Sequence, residues 1–255
     1  MKARSQSSWI RTKRSSNRTP QPAKSECWTT ERVLRELRRL GEQRNVEGMA
    51  RYGIVAKNVY GVSKPKLDSL ARKMGRNHAL ALQLWDTGNH DARILAGLLA
   101  EHTLLTEKQM ESWVGDFDNW DVCDGTCCHL FVFAKPAWSK AYSWSRRKNE
   151  FEKRAGFALA AFLACHDKKA SDGQFRKYLA TIEREAWDER NFVRKAVNWA
   201  LRNIGKRNRA LNRAARASAK RIARQNSRAA RWIAADALRE LTSAAVEGRL
   251  RRKRA

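Results

Sequence analysis

Proline is nearly absent from this chain once its opening segment is passed. Four prolines occur in 255 residues, and two of them, Pro20 and Pro22, stand near the start. Long stretches therefore hold no residue that removes a backbone donor and breaks a helix. Apolar spacing agrees with helix: Val33, Leu34 and Leu37 before Gly41, and Ile94, Leu95, Leu98 and Leu99 after His90-Asp91, recur at helical intervals. No segment alternates persuasively with period two. Three start signals, Thr106-x-x-Gln109, Asn149-x-x-Glu152 and Ser171-x-x-Gln174, set a capping side chain three residues before its reciprocal partner. Short turns between such helices make neighbours antiparallel and paired.

Several of these helices are alanine- or leucine-rich and carry a basic residue in their first turns: Arg93 in DARILAGLLA, Arg154 in EKRAGFALAAF, Arg194 in FVRKAVNWALR and Arg231 in RAARWIAADAL. Helix pairs that cannot bury their apolar faces alone stack into a superhelix, whose inner surface shows the same helix at each step. The predicted fold is thus an all-α solenoid with a concave basic face; a compact bundle with these arginines on a solvated surface is the alternative. The domain is expected over 28–245. Residues 1–27, with Lys2, Arg4, Arg11, Lys13, Arg14, Arg18 and Lys24, read as a basic disordered tail, and an organellar transit peptide has the same composition. Residues 246–255 read as a basic C-terminal tail, frayed at Arg251-Arg252-Lys253-Arg254.

The charge balance narrows the partner. Against 26 acidic residues stand 53 Lys and Arg, a net charge of +27, which a compact chain tolerates poorly unless a polyanion offsets it. DNA or RNA leads, with a basic but non-binding surface as the alternative. The Arg- and Ala-rich stretch from Lys206 to Arg231 reads as a phosphate-tracking element, its cations (Arg207, Arg209, Arg213, Arg216, Lys220, Arg221, Arg224 and Arg228) set around the helix. No window approaches the ~20 apolar residues of a spanning helix, so no membrane partner is expected. Five cysteines, an odd number, do not make a disulfide framework and point to a reducing, cytoplasmic compartment. DNA binding would make the chain nucleoid-associated, and a monomer is expected.

Chemistry concentrates in Asp118-Asn119-Trp120-Asp121-Val122-Cys123-Asp124. On a helix starting here Trp120 and Asp124 share a face, while Asp121 suits a first-turn acid that favours the helix N-terminus. Asp124, among Cys123, Cys127, Cys128 and Leu130, is costly to bury unless paired or turned to an open cleft. The Cys-x-x-x-Cys-Cys-His array suggests zinc, but the second ligand pair of a structural site is missing, so buried thiols, no metal and no cofactor are expected.

These segments, in this order, resemble the DNA alkylation repair glycosylases built from HEAT-like helical repeats. The resemblance covers roughly residues 45 to 240, including the opening segment Met49 to Lys64 with Tyr52 and Tyr60-Gly61-Val62. It places the family's Trp-x-x-x-Asp pair at Trp120 and Asp124, its arginine at Arg154 and its second tryptophan at Trp199. The implied activity is excision of purines alkylated at N3 or N7, such as 3-methyladenine and 7-methylguanine, from duplex DNA. Such a base is already cationic and leaves without a proton, so one carboxylate, Asp124, would stabilise the oxocarbenium-like sugar. Trp120 and Trp199 would hold the lesion between ring faces, and Arg154 would grip a phosphate. Tyr60, Lys64, Arg93, Arg146, Arg147, Arg194, Lys195, Arg202 and Arg231 are the expected DNA contacts. Without the resemblance, Trp199 reads as a core residue, and Arg146 or Arg147 could supply the phosphate contact instead. Two competing classes are a non-catalytic repeat protein that binds DNA or RNA by shape and charge, and a helical scaffold for an acidic protein.

Overall fold

A computed structural model describes residues 28–252, so the expected tail at 1–27 and the last three residues lie outside the described residues. Among the described residues there are fourteen α-helices, one short 3-10 turn at Phe131–Phe133 and no strand. In chain order they are α1 (Thr30–Leu40), α2 (Gln43–Arg51), α3 (Lys64–Met74), α4 (His78–Asp86), α5 (His90–Leu99), α6 (Glu107–Gly115), α7 (Trp120–His129) and α8 (Ala137–Trp144). The second half continues with α9 (Glu150–His166), α10 (Asp172–Glu185), α11 (Asn191–Gly205), α12 (Arg209–Ile222), α13 (Arg228–Leu241) and α14 (Ala244–Arg252).

The odd-numbered helices from α3 to α13 form one layer in which each packs on the next, and the even-numbered helices cover it, α4 on α5, α8 on α9, and α12 on α11 and α13. This is the stacking that helix pairs with unpartnered apolar faces require. Local capping sets the boundaries. Thr106 and Gln109 make a reciprocal capping box, whereas Ser171 caps α10 through the Gln174 N–H alone and Asn149 makes no side-chain cap, its amide donating to Glu152 instead. The expected C-terminal tail is helical from its start at 246 to Arg252, because Val246 and Leu250 are buried.

The core is aromatic and close-packed. Trp85 and Trp113 stack with ring centroids 3.9 Å apart, Phe117 meets Trp85 edge-on, and Phe131 links this group to Trp144. Buried indoles need acceptors, and carboxylates supply them: Trp85 donates to Asp116 (2.8 Å), Trp138 to Asp167 (2.9 Å) and Trp144 to Glu111 (3.1 Å).

Between α9 and the loop before α11 the buried Lys153 ammonium lies 2.7 Å from Glu185 and 2.9 Å from Asp188. Arg190 closes on the same Asp188 carboxylate with two hydrogen bonds of 2.9 and 2.6 Å. Burial alone would raise the Asp188 pKa, but Arg190 and Lys153 outweigh it and bring it down to about 2. A depressed acid stabilises the fold above its unfolded pKa and loses that contribution as pH falls through the folded value. Asp188→Asn is therefore expected to cost about 2 kcal/mol near neutral pH. In urea titrations the gap from the parent protein should close between about pH 4 and pH 2; a gap that stays constant across that window contradicts this account.

Candidate active site

The start of α7 is fixed by Asn119, whose side-chain oxygen accepts from the N–H groups of Asp121 and Val122 at 3.0 Å each. The Asn119 amide also donates to Nδ1 of buried His90 at 3.3 Å, which leaves the ring proton on Nε2, 3.3 Å from Asp121. Asp121 is thus both a first-turn acid and the acceptor for His90. One turn further on, the seam between α7 and α9 is made by Cys123 and Cys127, whose buried thiols donate to the carbonyls of Phe151 and Ala155. Burial pushes the Cys123 thiol well above its ordinary pKa, which keeps it neutral in this seam.

Asp124 sits in that seam, its side chain only 17% exposed. Arg154 of α9 grips it with both ends of the fork, Nε to Oδ1 at 2.9 Å and Nη2 to Oδ2 at 2.6 Å, and a third donor, Nη1, reaches the Phe192 carbonyl at 2.7 Å. One guanidinium therefore fastens α7, α9 and the first turn of α11 together. The structure gives this arginine a different partner from the phosphate expected of it, because a guanidinium buried at 7% exposure must satisfy its charge locally. Burial raises the Asp124 pKa above its ordinary value, with the Arg154 charge and hydrogen bonds pulling the other way. For Arg154 burial opposes the charge and the Asp124 carboxylate prevails, so its pKa lies above the usual arginine value.

Trp120 opens a cleft of about 410 Å³ between α2, α3, α5 and α7, lined among others by Met49, Tyr52, Ile54, Ile94 and Asp121. Its indole N–H donates to the Tyr52 carbonyl at 2.9 Å, so the loop after α2 is strapped to α7. That loop also reaches α11: a Cβ on Gly53 would stand 2.8 Å from the Phe192 ring. Tyr52 itself is 73% exposed beside Trp120. Trp199 is placed differently. It lies half-buried at the seam of α9 and α11 with its ring edge-on to Phe162, centroids 4.8 Å apart, seven residues and about 10 Å along the helix from Phe192. Asp124 and Arg154 are thus brought together, Trp120 stands one turn before Asp124 on α7 and lines a cleft that neither of them lines, and Trp199 stands further along the same row.

A sequence profile described as DNA alkylation repair enzyme matches residues 33–241, which is most of the chain. The chain belongs to this DNA alkylation repair family. Its fold is also that of a solved structure described as "a new family of proteins related to the HEAT-like repeat DNA glycosylases with affinity for branched DNA structures". The likeness has a TM-score of 0.71 at 21% identity and covers 88% of this chain and 96% of the other, which establishes the HEAT-like repeat fold. Comparison with curated proteins gave no match.

The expected DNA contacts of this family member fall into two groups. Arg93 donates to the Trp85 and Asp116 carbonyls, Arg147 is held by Glu111 and Glu152, and Arg202 is held by Glu240 at 2.6 Å and Asp236 at 3.5 Å. Lys64 pairs with Asp68 on the rim of the cleft, Tyr60 is half-buried with Arg38 over its ring, and Arg194 stacks on Trp232 with centroid distance 5.2 Å. Arg146, Lys195 and Arg231 are exposed, with no ion pair among the described residues. The row of early arginines is therefore real as a repeat but mostly consumed by internal partners.

Sequence reasoning passed over the Tyr52-Gly53 strap, Asn119 and the His90–Asp121 pair. Asn119 carried a readable signal, a capping residue just ahead of the first helical tryptophan, whereas the strap joins residues 68 apart and leaves none. The pairing also has an energetic corollary. Asp124→Asn leaves Arg154 buried without its counter-charge, for which about 3–5 kcal/mol of stability is expected to be lost. Chemical denaturation of Asp124→Asn should show this, and a variant as stable as the parent would mean that Arg154 is not held as described.

Proposed function

We propose that this protein excises cationic N3- or N7-alkylated purines from duplex DNA, with Asp124 as the group that stabilises the departing sugar. The observation that carries the reading is the Asp124 carboxylate, fixed by two hydrogen bonds from Arg154 one turn below Trp120, in a chain of the DNA alkylation repair family. An alkylated purine needs no acid to leave, so the enzyme has only to meet positive charge growing on C1′. A carboxylate whose rotamer is locked and which is largely out of water is a preorganised countercharge for that purpose. Each of its oxygens keeps a lone-pair direction beyond the one Arg154 uses, and the exposed edge is where the sugar would approach. Trp120, beside the cleft, offers a ring face to the cationic base, an attraction of about 0.5–2 kcal/mol. Arg154 acts as a positioning residue here. Trp199 would contact the duplex further along the row, and Lys195, Arg231 and Arg146 are the cations best free to meet phosphates.

A second reading is favoured by one observation: the solved structure of the same fold belongs to proteins with affinity for branched DNA structures. In that reading the chain recognises DNA shape, and the Asp124–Arg154 pair is purely structural.

Release of 3-methyladenine or 7-methylguanine from methylated duplex separates the two, measured over a range of salt because so basic a protein holds any duplex tightly when ionic strength is low. Wild-type protein is expected to release the base, and folded Asp124→Asn to lose on the order of 10²–10³ in rate. Because the ionised carboxylate does the work and burial raises its pKa, the rate should fall on acidification at a pH above the ordinary aspartate value of about 3.9. No release at any salt, with tight binding to branched DNA, selects the second reading.

A further inference from the structure

The largest stripe of uncommitted positive charge is not on the layer that carries Trp120 and Asp124. Helix α12 packs on α10, α11 and α13 through Leu211, Asn212, Ala215, Ser218, Ala219 and Ile222, all buried. Its opposite side carries Arg209, Arg213, Arg216 and Lys220 at spacings of four, three and four residues, continued by Arg224 just past the helix end. Three of these, Arg213, Lys220 and Arg224, are exposed, and none of the five has an ion pair among the described residues. The cations that sequence reading set around the helix are thus segregated. Arg221, off this line, is neutralised by Glu183 at 2.7 Å, and Glu247 near the start of the stripe is taken by Arg251 at 3.5 Å. The neighbouring outer helix α10 adds exposed Arg176 and Lys177.

On the inner layer, by contrast, Arg93, Arg154 and Arg202 are bound by the protein's own carboxylates and carbonyls. The asymmetry has a physical reading. Five cations along one helix span about 22 Å at 1.5 Å per residue, and one DNA strand presents a phosphate about every 3.4 Å of duplex axis over that length. A single straight duplex lying against the inner layer cannot touch the outward side of the outer layer.

We propose that α12 is a second duplex-binding surface, so that one molecule holds two DNA segments at once, one on each layer. The occupant is double-stranded DNA because the stripe is linear, free of interleaved carboxylates and smoothed by exposed Ala217, which suits a rigid row of phosphates rather than a shaped protein partner. Two arms of one branched molecule, or two separate duplexes, would meet the same two surfaces. The inference rests on DNA binding by the inner layer, not on base release.

The test immobilises one duplex on beads, loads the full-length protein, and measures capture of a second, fluorescent duplex. Light scattering of the soluble complex then counts protein copies per two duplexes. Wild-type protein is expected to capture the second duplex as a single copy. Arg213→Glu/Lys220→Glu/Arg224→Glu, checked for an unchanged melting temperature, should stay on the beads and capture at least tenfold less. The milder Arg213→Ala, Lys220→Ala and Arg224→Ala single variants should each lower the salt slope of second-duplex capture by about one. Capture by the triple variant equal to wild type, a requirement for two protein copies, or uptake of phosphatidylserine vesicles in place of a second duplex would each overturn the proposal. Base release on the same samples separates it from the glycosylase reading. For wild-type protein, base release without capture of a second duplex sinks the second surface alone, and capture without release sinks the glycosylase alone.

Discussion

The bidentate pair between Asp124 and Arg154 is the constraint around which the centre of this molecule is arranged. A guanidinium with 7% exposure cannot be left to water, and a carboxylate in the same seam is tolerable only because that guanidinium is there. Each therefore dictates the other's rotamer. Through the third donor to Phe192 the pair also sets how α11 lies on α9, and through Phe192 it touches the strap that crosses from α2. Stability and any chemistry at Asp124 are consequently the same property seen twice. The group that would face a sugar is the group that neutralises the core's one bound guanidinium at this seam.

Around that centre the protein uses carboxylates mainly to satisfy its own interior. Lys153 has two acids, three outer-layer indoles each have one, and much of the expected DNA-facing arginine row has been drawn into the same economy of internal pairing. A net charge of +27 is then carried disproportionately by residues that no internal acid claims. Among the described residues several of these lie on α12 and α10 and at exposed positions of α11 and α13, so electrostatic attraction to a polyanion is a property of both layers and not of one groove.

The helical class and the repeat were legible because they rest on local rules: the scarcity of proline, spacing at i, i+3 and i+4, and capping residues such as Thr106. Trp120 and Asp124 were legible as neighbours on one helix face for the same reason. What Arg154 binds was not legible, since its place at the start of the second turn of α9 is compatible with facing either solvent or α7, and only the packing of α9 on α7 decides between them. Trp199 shows the same limit: its helix and register follow from the pattern, while its edge-on contact with Phe162 depends on how two helices cross. The Lys206–Arg231 stretch was read as cations all round a helix because composition alone does not reveal a turn at 223–227, which splits it into an outer and an inner helix.

Asp91 bears on how this family member can diverge. Its buried carboxylate accepts from three consecutive backbone N–H groups, those of Tyr60, Gly61 and Val62, and so stitches the first helices to the repeat row through main chain alone. Side chains at that turn add no hydrogen bond to the joint, though Val62 is buried in the core and Tyr60 packs against it; at Gly61 φ is +76° and an added Cβ would meet the Glu42 carbonyl at 2.6 Å. A relative that keeps this course needs an acceptor in the place of Asp91, thirty residues downstream, more than any hydrogen-bonding side chain in the loop itself.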